Sequence, residues 1–470
     1  MSKKTFAMTA TLVGLLVLEA LAAAPVGWRT DGSGRYPDAR PVTEWSAEKN
    51  VIWRTKMPSR SNATPVVLAD RIFVCAEPLE LVCVDKSDGK ILWQKSNPIA
   101  DAMTDEQKRQ AAEQAEQAKP VLAKLSAAKR QLGQLNGELR KDPKNAELVA
   151  KVRQQRKVVR DLSSRVAGLR KWRRPTVDNT NGYSSPTPVS DGKGVWALFN
   201  NGVAACYDLA GNRKWIVHVD APPHRSWGHS ASPVLHDGKL IVHVANMKAL
   251  DAATGKLLWT AEGTAWAWGT PVVTRIGDQD VAVTPKGQIV RLAEGKVLAS
   301  GLNKLTYNSP VLDGPVAYHI QAAATAARLA AGDGGAVKVE KLWRAKLKND
   351  RYYDSPVIQD GRIYAITRGN HLSILDAKDG KILNGGGEGA RLDLGKGTTY
   401  PSIAAAGGHV FISSDNGTTA VLKPGPEADV VAKNRLDTFR SSPVFEGGRM
   451  YVRTYKYLYC IGRKGEKPTP

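Results

Sequence analysis

Residues 232–259 read SPVLHDGKLIVHVANMKALDAATGKLLW. Four strand signals and three turn signals fit into this one stretch. Ser232-Pro233-Val234 opens a short apolar strand, and Asp237-Gly238 supplies the positive φ that a tight hairpin needs. A second strand follows, the third ends in Leu250-Asp251, and Gly255-Lys256 turns the chain into an apolar fourth strand that ends at Trp259.

The same unit recurs along the chain. Its opening is Thr64-Pro65-Val66, Thr187-Pro188-Val189, Thr270-Pro271-Val272, Ser309-Pro310-Val311, Ser355-Pro356-Val357 and Ser442-Pro443-Val444, with a degenerate copy at Tyr400-Pro401-Ser402. Beyond the first gap, neighbouring prolines stand roughly 38 to 46 residues apart, the period of a propeller or solenoid. Gly89-Lys90 leading to Trp93 and Gly380-Lys381 leading to Leu383 repeat the last turn. Eight units of four strands predict an all-β, eight-bladed β-propeller. The last unit ends near Ile461 with three strands, and a spare fourth strand, Lys49–Arg54, precedes the first unit. We expect the N-terminal strand to complete the last blade and so remove the open edges of the ring.

These units resemble the pyrroloquinoline-quinone (PQQ) repeat family, on the pattern Ser-Pro-Val, Asp-Gly, Leu-Asp and Gly-Lys-x-Leu-Trp. The resemblance extends to BamB-type scaffolds and, through residues 43–53, to secreted PQQ-like proteins of planctomycete-type bacteria. It implies a propeller. It also implies two classes of function, because the family holds quinoprotein dehydrogenases that bind PQQ and Ca²⁺ as well as cofactor-free scaffolds. In the dehydrogenases a vicinal Cys-Cys ring covers PQQ, and a catalytic Asp with Glu, Asn and Asp ligands for Ca²⁺ lies on the channel floor. This chain has no adjacent cysteines, and Asp354 is its one carboxylate immediately before a Ser/Thr-Pro step. We therefore expect no catalytic residue, no metal site and no PQQ or Ca²⁺ cofactor. The expected function is a non-enzymatic binding or scaffold module. The alternatives are a quinoprotein oxidoreductase with an atypical site and a carbohydrate-binding accessory protein.

The boundaries follow. Residues 1–22 read as a signal peptide: Lys3 and Lys4, an apolar run too short to span a bilayer, then Ala20-Leu21-Ala22 as a cleavage signal, an uncleaved anchor being the alternative. Residues 23–48 form an N-terminal extension, 49–98 the closing strand and blade 1, 99–178 an insertion, 179–463 blades 2–8 and 464–470 a tail. This reading places the protein in the periplasm or outside the cell, as a monomeric propeller with no transmembrane span after cleavage. Its net charge of +22 then points to an acidic envelope protein or an anionic envelope polymer as partner, not to nucleic acid. Of the four cysteines, Cys83, Cys206 and Cys460 share one third-strand position and read as small buried residues. Cys75 and Cys83 lie on neighbouring strands, where a disulfide and two buried thiols are both open.

The insertion is helical. Thr104-Asp-Glu-Gln107 is a capping box, and Pro120 is expected to kink or restart the first helix. Asn145 caps a second helix whose Leu148, Val152, Gln155, Val159, Leu162, Val166 and Leu169 keep the four-three spacing of a coiled-coil seam. An antiparallel hairpin follows, with Leu139 near Leu148 and Leu122 near Val166. The second helix is basic away from that seam, so Arg153, Arg156, Lys157 and Arg160 are candidate partner-docking residues.

A second candidate site lies on the ring. Residues just ahead of each Ser/Thr-Pro step enter the innermost strand and should ring one mouth of the channel. Arg60, Asn62, Tyr183, His229, Trp268, Tyr307, Tyr353, Tyr400 and Arg440 are the candidates there, with Trp266 and Tyr352 beside them. Aromatic faces among Arg, His and Asn suit sugars, peptides or quinone-like rings. Trp53, Trp93, Trp215, Trp259 and Trp343 sit on fourth strands and are assigned to packing between blades. His224 and His229 flank a short loop without a spaced carboxylate or cysteine, which argues against a metal.

Overall fold

The computed structural model describes residues 24–169, 180–221 and 227–469. The expected signal peptide lies outside the described residues, as do His224 and the basic Arg170, Lys171, Arg173 and Arg174. The strands form eight sheets, one per repeat. Blade 3 is typical: Val234–His236, Lys239–His243, Met247–Asp251 and Leu257–Ala261, each antiparallel to the next. The middle strands are almost wholly buried, while the fourth strand is largely part-exposed, because it forms the outer edge of the blade.

The ring closes as the spare strand predicts. Val51–Lys56 pairs antiparallel with Tyr457–Ile461, with Val51 opposite Ile461 and Lys56 opposite Tyr457, and becomes the fourth strand of blade 8. The blades are locked by tryptophan and glycine together. Each indole N–H reaches the next blade: Trp53 donates to the Lys86 carbonyl (3.3 Å), Trp93 to Leu209 (2.9 Å), Trp215 to Ala252 (2.9 Å), Trp259 to Leu292 (3.1 Å) and Trp343 to Ala377 (2.9 Å). Each indole also lies against the turn glycine of that blade, for example Trp215 against Gly255 and Trp343 against Gly380. Opposite these tryptophans on the third strand stands a small residue: Cys460, Cys83, Cys206, Ala249 or Ala326. All four cysteines are buried free thiols, so Cys75 and Cys83 form no disulfide; Cys75 pairs with Leu81 and Cys83 with Phe73, two rungs apart.

A second device closes the inner wall. At its Ser/Thr-Pro end the inner strand of each blade leaves the edge facing the channel unpaired within its own sheet. There the N–H of Thr64 donates to Thr187 Oγ1 (3.0 Å), Thr187 to Ser232 (3.0 Å), Ser232 to Thr270 (2.9 Å) and Thr270 to Ser309 (2.8 Å). Ser309 continues to Ser355 (3.1 Å), Ser355 to Ser402 (3.1 Å) and Ser402 to Ser442 (3.0 Å), and Ser442 returns to Thr64 (3.1 Å). The Ser/Thr-Pro pair is thereby explained: the hydroxyl accepts the neighbouring blade's N–H, and proline removes the next donor on the edge. Aligning the repeats by proline is two residues out in blade 7. There Ser402, after Pro401, holds the hydroxyl position.

Two further expectations are narrowed. The first helix, α1 (Asp105–Lys141), is continuous through Pro120, which excludes the restart, and α2 spans Ala146–Gly168. In blade 6 the fourth strand starts at Lys381–Leu383, where Ile382 bridges to Leu375 and the Leu383 N–H donates to the Ile374 carbonyl (2.7 Å), but it does not run on from there. The three glycines after Asn384, with φ of 58, 67 and 92°, turn the chain inside the blade. Asn384 bridges the gap by accepting from the Ile374 N–H (2.9 Å) and donating to the Leu372 carbonyl (3.0 Å), and pairing resumes at Ala390–Arg391.

The insertion is an antiparallel helical hairpin. Thr104 and Gln107 form the capping box, and Asn145 caps α2. Val121, Leu125 and Val166 pack with Leu122, Val159, Leu162 and Leu169, and Gln155 donates to the Ala128 carbonyl (3.0 Å). Among the described residues no helix is long and apolar enough to cross a membrane.

Candidate functional site at the channel mouth

Strand alternation decides what faces the channel. In a strand, residues two apart share a face. The residue two before each ring hydroxyl should therefore point where the hydroxyl points. All eight such residues line one cavity of about 400 Å³: Asn62, Ser185, Ser230, Trp268, Tyr307, Tyr353, Tyr400 and Arg440. The eight ring hydroxyls line it below them. Six of the nine expected mouth residues thus come together. Arg60, Tyr183 and His229 do not line the cavity, and neither do Trp266 and Tyr352. His229 and Tyr352 lie three before their hydroxyls, so alternation turns them into the blades, where both are buried.

The aromatic residues form an arc over half of the rim. Trp268 stacks on Tyr307 (centroids 5.4 Å apart, planes at 18°), Tyr307 meets Tyr353 edge-on (4.9 Å), and Tyr353 stacks on Tyr400 (4.8 Å, 8°). Trp266 extends the arc at one end, 4.8 Å from Trp268, with the Lys286 ammonium 5.5 Å from its centroid. At the other end the Arg440 guanidinium lies 4.0 Å over Tyr400. Arg440 also reaches Asp415 (3.2 Å) and the Thr180 carbonyl (2.7 Å). Asn62 holds the same loop through the Thr180 carbonyl (2.8 Å) and Ser185 Oγ (3.0 Å).

The sequence reading missed several groups. Arg351 lines the cavity and donates to Tyr353 Oη (3.0 Å). Asn181 and the exposed Trp227 add to the rim, joined by an Asn181–Trp227 carbonyl bond of 2.8 Å. The base comes from the N-terminal extension. Val26 bridges to Ser190 of blade 2, and Arg35–Tyr36 adds a parallel strand to Ala405–Ala406 of blade 7. Between these anchors the chain crosses the far end of the channel and sets Trp28 in the cavity wall. Arg29, 1% exposed, holds the crossing by donating to the carbonyls of Pro356 (2.9 Å) and Ile403 (2.7 Å). Desolvation lowers its pKa to about 10, so it stays a cation at neutral pH. The channel is therefore a cup.

The cup's chemistry is uniform. Its described lining residues supply hydroxyls, amides, aromatic faces and two guanidiniums, and none is a carboxylate, histidine or cysteine. Asp354 lies behind the wall, buried, and desolvation pushes its carboxyl well above the usual range. Burial pushes the imidazoles of His229, His243 and His319 down, to about 3, 4 and 4. Among the described residues no group of three His, Cys, Asp or Glu is placed to hold a metal ion. A flat quinone would find aromatic faces here, but among the described lining residues its Ca²⁺ would find no carboxylate. The described lining does not fit that pair. The partner-docking candidates Arg153, Arg156, Lys157 and Arg160 are all exposed on α2, Arg160 lying 3.7 Å from Asp161.

Known proteins agree with this architecture. No curated protein sequence matches the chain. The solved structure of BamB from Moraxella catarrhalis is similar, with a TM-score of 0.53 at 9% identity, covering 87% of this chain and 99% of that one. A europium-containing methanol dehydrogenase is similar at 0.51 and 10% identity, covering 90% and 88%. At such identities the likeness is one of fold. A family model described as outer membrane protein assembly factor BamB matches residues 42–244, 201–298 and 249–383. Together these segments span most of the chain, which belongs to the BamB-like family of PQQ-repeat β-propellers.

Proposed function

We propose that the protein is an exported, non-enzymatic binding module of the cell envelope, taking a small ligand in the cup and a macromolecular partner on the helical hairpin. The composition of the cup wall carries this reading. Every described lining group can bind, and none of them is a carboxylate, imidazole or thiol placed to move a proton or attack a substrate. The carboxylate of Asp415, next to the lining residue Arg440, is engaged by that guanidinium. The family's fold hosts scaffolds and dehydrogenases alike, so the site and not the fold must choose between them. The expected signal peptide supports export. The one-sided basic face of α2 supports an acidic envelope protein or an anionic envelope polymer as the partner.

The test is a titration of the full chain with PQQ and Ca²⁺, followed by assay with primary alcohols and an electron-accepting dye. We expect neither a stoichiometric absorbance change nor dye reduction. Dye reduction that depends on PQQ would overturn the reading in favour of a quinoprotein oxidoreductase with an unusual ligand set.

A further inference from the structure

Resting on the reading of the cup as a binding site, we infer that its ligand is the terminal unit of an acidic carbohydrate, a sugar ring carrying a carboxylate. The hydroxyl ring is the first reason. Each of the eight oxygens already accepts an N–H from the neighbouring blade, so each retains one proton to donate. Among the described residues no acceptor takes up these protons, and all eight side chains belong to buried residues. A ligand seated above them must be rich in oxygen acceptors. A polyol meets that demand over its whole surface; a flat aromatic meets it only at its substituents.

The rim supplies the second reason. The half-buried rings of Trp268, Tyr307, Tyr353 and Tyr400 keep open surface toward the cavity, and such surface packs on the C–H faces of a sugar. Charge supplies the third. Arg440 is balanced by Asp415, whereas Arg351 hydrogen-bonds the neutral phenol of Tyr353. With no carboxylate in the described wall, a net positive charge faces the cup and favours an anion, and a guanidinium matches a carboxylate in bidentate fashion. The base supplies the last. Trp28 and the crossing segment block the far end, so a polymer cannot thread the ring and only a chain end can enter. The volume of about 400 Å³ falls at the lower end of small-ligand sites.

The experiment follows tryptophan fluorescence of the full chain, since Trp28, Trp227 and Trp268 line the cavity. The probes are glucuronate, galacturonate, glucose and benzoate. We expect a saturable change with at least one of the two uronates and binding of glucose about ten-fold weaker or more, the worth of one charge-assisted hydrogen bond. Arg351→Gln should bring the preference for that uronate over glucose close to unity. Arg351 is exposed, so thermal unfolding of this variant should match the parent. Glucose binding as tightly as the uronates, or a preference that survives Arg351→Gln, overturns the inference. Benzoate outcompeting both uronates also overturns it and leaves the binding-module reading standing. Silence of all four probes overturns the inference too, while PQQ-dependent dye reduction is the separate outcome that removes the reading beneath it.

Discussion

Replacing Gly255 with alanine isolates the contact that joins one blade to the next. Gly255 has φ of +74°, and a Cβ built on it would lie 2.7 Å from Cδ2 and 2.8 Å from Cε3 of Trp215. Two costs add. An L-residue in the left-handed region loses roughly 1–2 kcal/mol. Driving a methyl into a packed indole costs about 1–3 kcal/mol more. Trp215 has little freedom to retreat, because it is 9% exposed, bound to the Ala252 carbonyl and opposed across the strand by Cys206. The expected destabilisation is about 2–5 kcal/mol, read as a shift in the urea midpoint by circular dichroism. Gly238 is the control in the same blade: its φ is +67°, but a methyl group added there would meet nothing within 4 Å. Gly238→Ala should therefore show the backbone cost alone, roughly 1–2 kcal/mol. A double-mutant cycle completes the test. In a Trp215→Leu background the extra cost of Gly255→Ala should shrink toward that of Gly238→Ala. Equal costs of Gly255→Ala in both backgrounds would refute the claim that the glycine is there for the tryptophan.

Two further outcomes are expected. Replacing Arg153, Arg156, Lys157 and Arg160 with Gln should leave stability within about 0.5 kcal/mol, since all four are exposed and Gln is a good helix former. The variant should elute from immobilised polyglutamate at lower salt than the parent; unchanged elution would make the hairpin's charge irrelevant to acidic partners. In acid, His229, His243 and His319 resist protonation when folded, so the unfolded chain binds three more protons between their folded pKa values and about 6.5. Asp354, whose carboxyl burial pushes well above the usual range, opposes this in part. Net, stability present above pH 6.5 should be lost on acidification at roughly 2–4 kcal/mol per pH unit between pH 6 and 5. A flat urea midpoint from pH 7 to 5 would show that these imidazoles are open to water.

The blade count, the ring closure and the helical hairpin were legible because each rests on a local signal: period-two strands, glycine turns, a capping box and an unbroken four-three seam. The tryptophans on fourth strands were legible for the same reason, since each repeats with its own turn glycine. The break in blade 6 was misread because Gly380-Lys381-Ile382-Leu383 carries the right pattern, and only the glycine run after Asn384 shows that the strand cannot continue there.

The mouth was half legible. Proximity to the Ser/Thr-Pro step marked the right stretch, but strand alternation, counted from the hydroxyl and not from the proline, selects the residue that faces inward. That count admits Ser185 and Ser230 and turns His229 and Tyr352 into the blades. By itself, then, the sequence determined the architecture, because repeated local patterns each specify their own strands and turns. The tertiary structure alone decided that the channel is a cup. Its base depends on Arg29 meeting Pro356 and Ile403, residues 327 and 374 positions away, and no local pattern records a contact made only when the ring has closed.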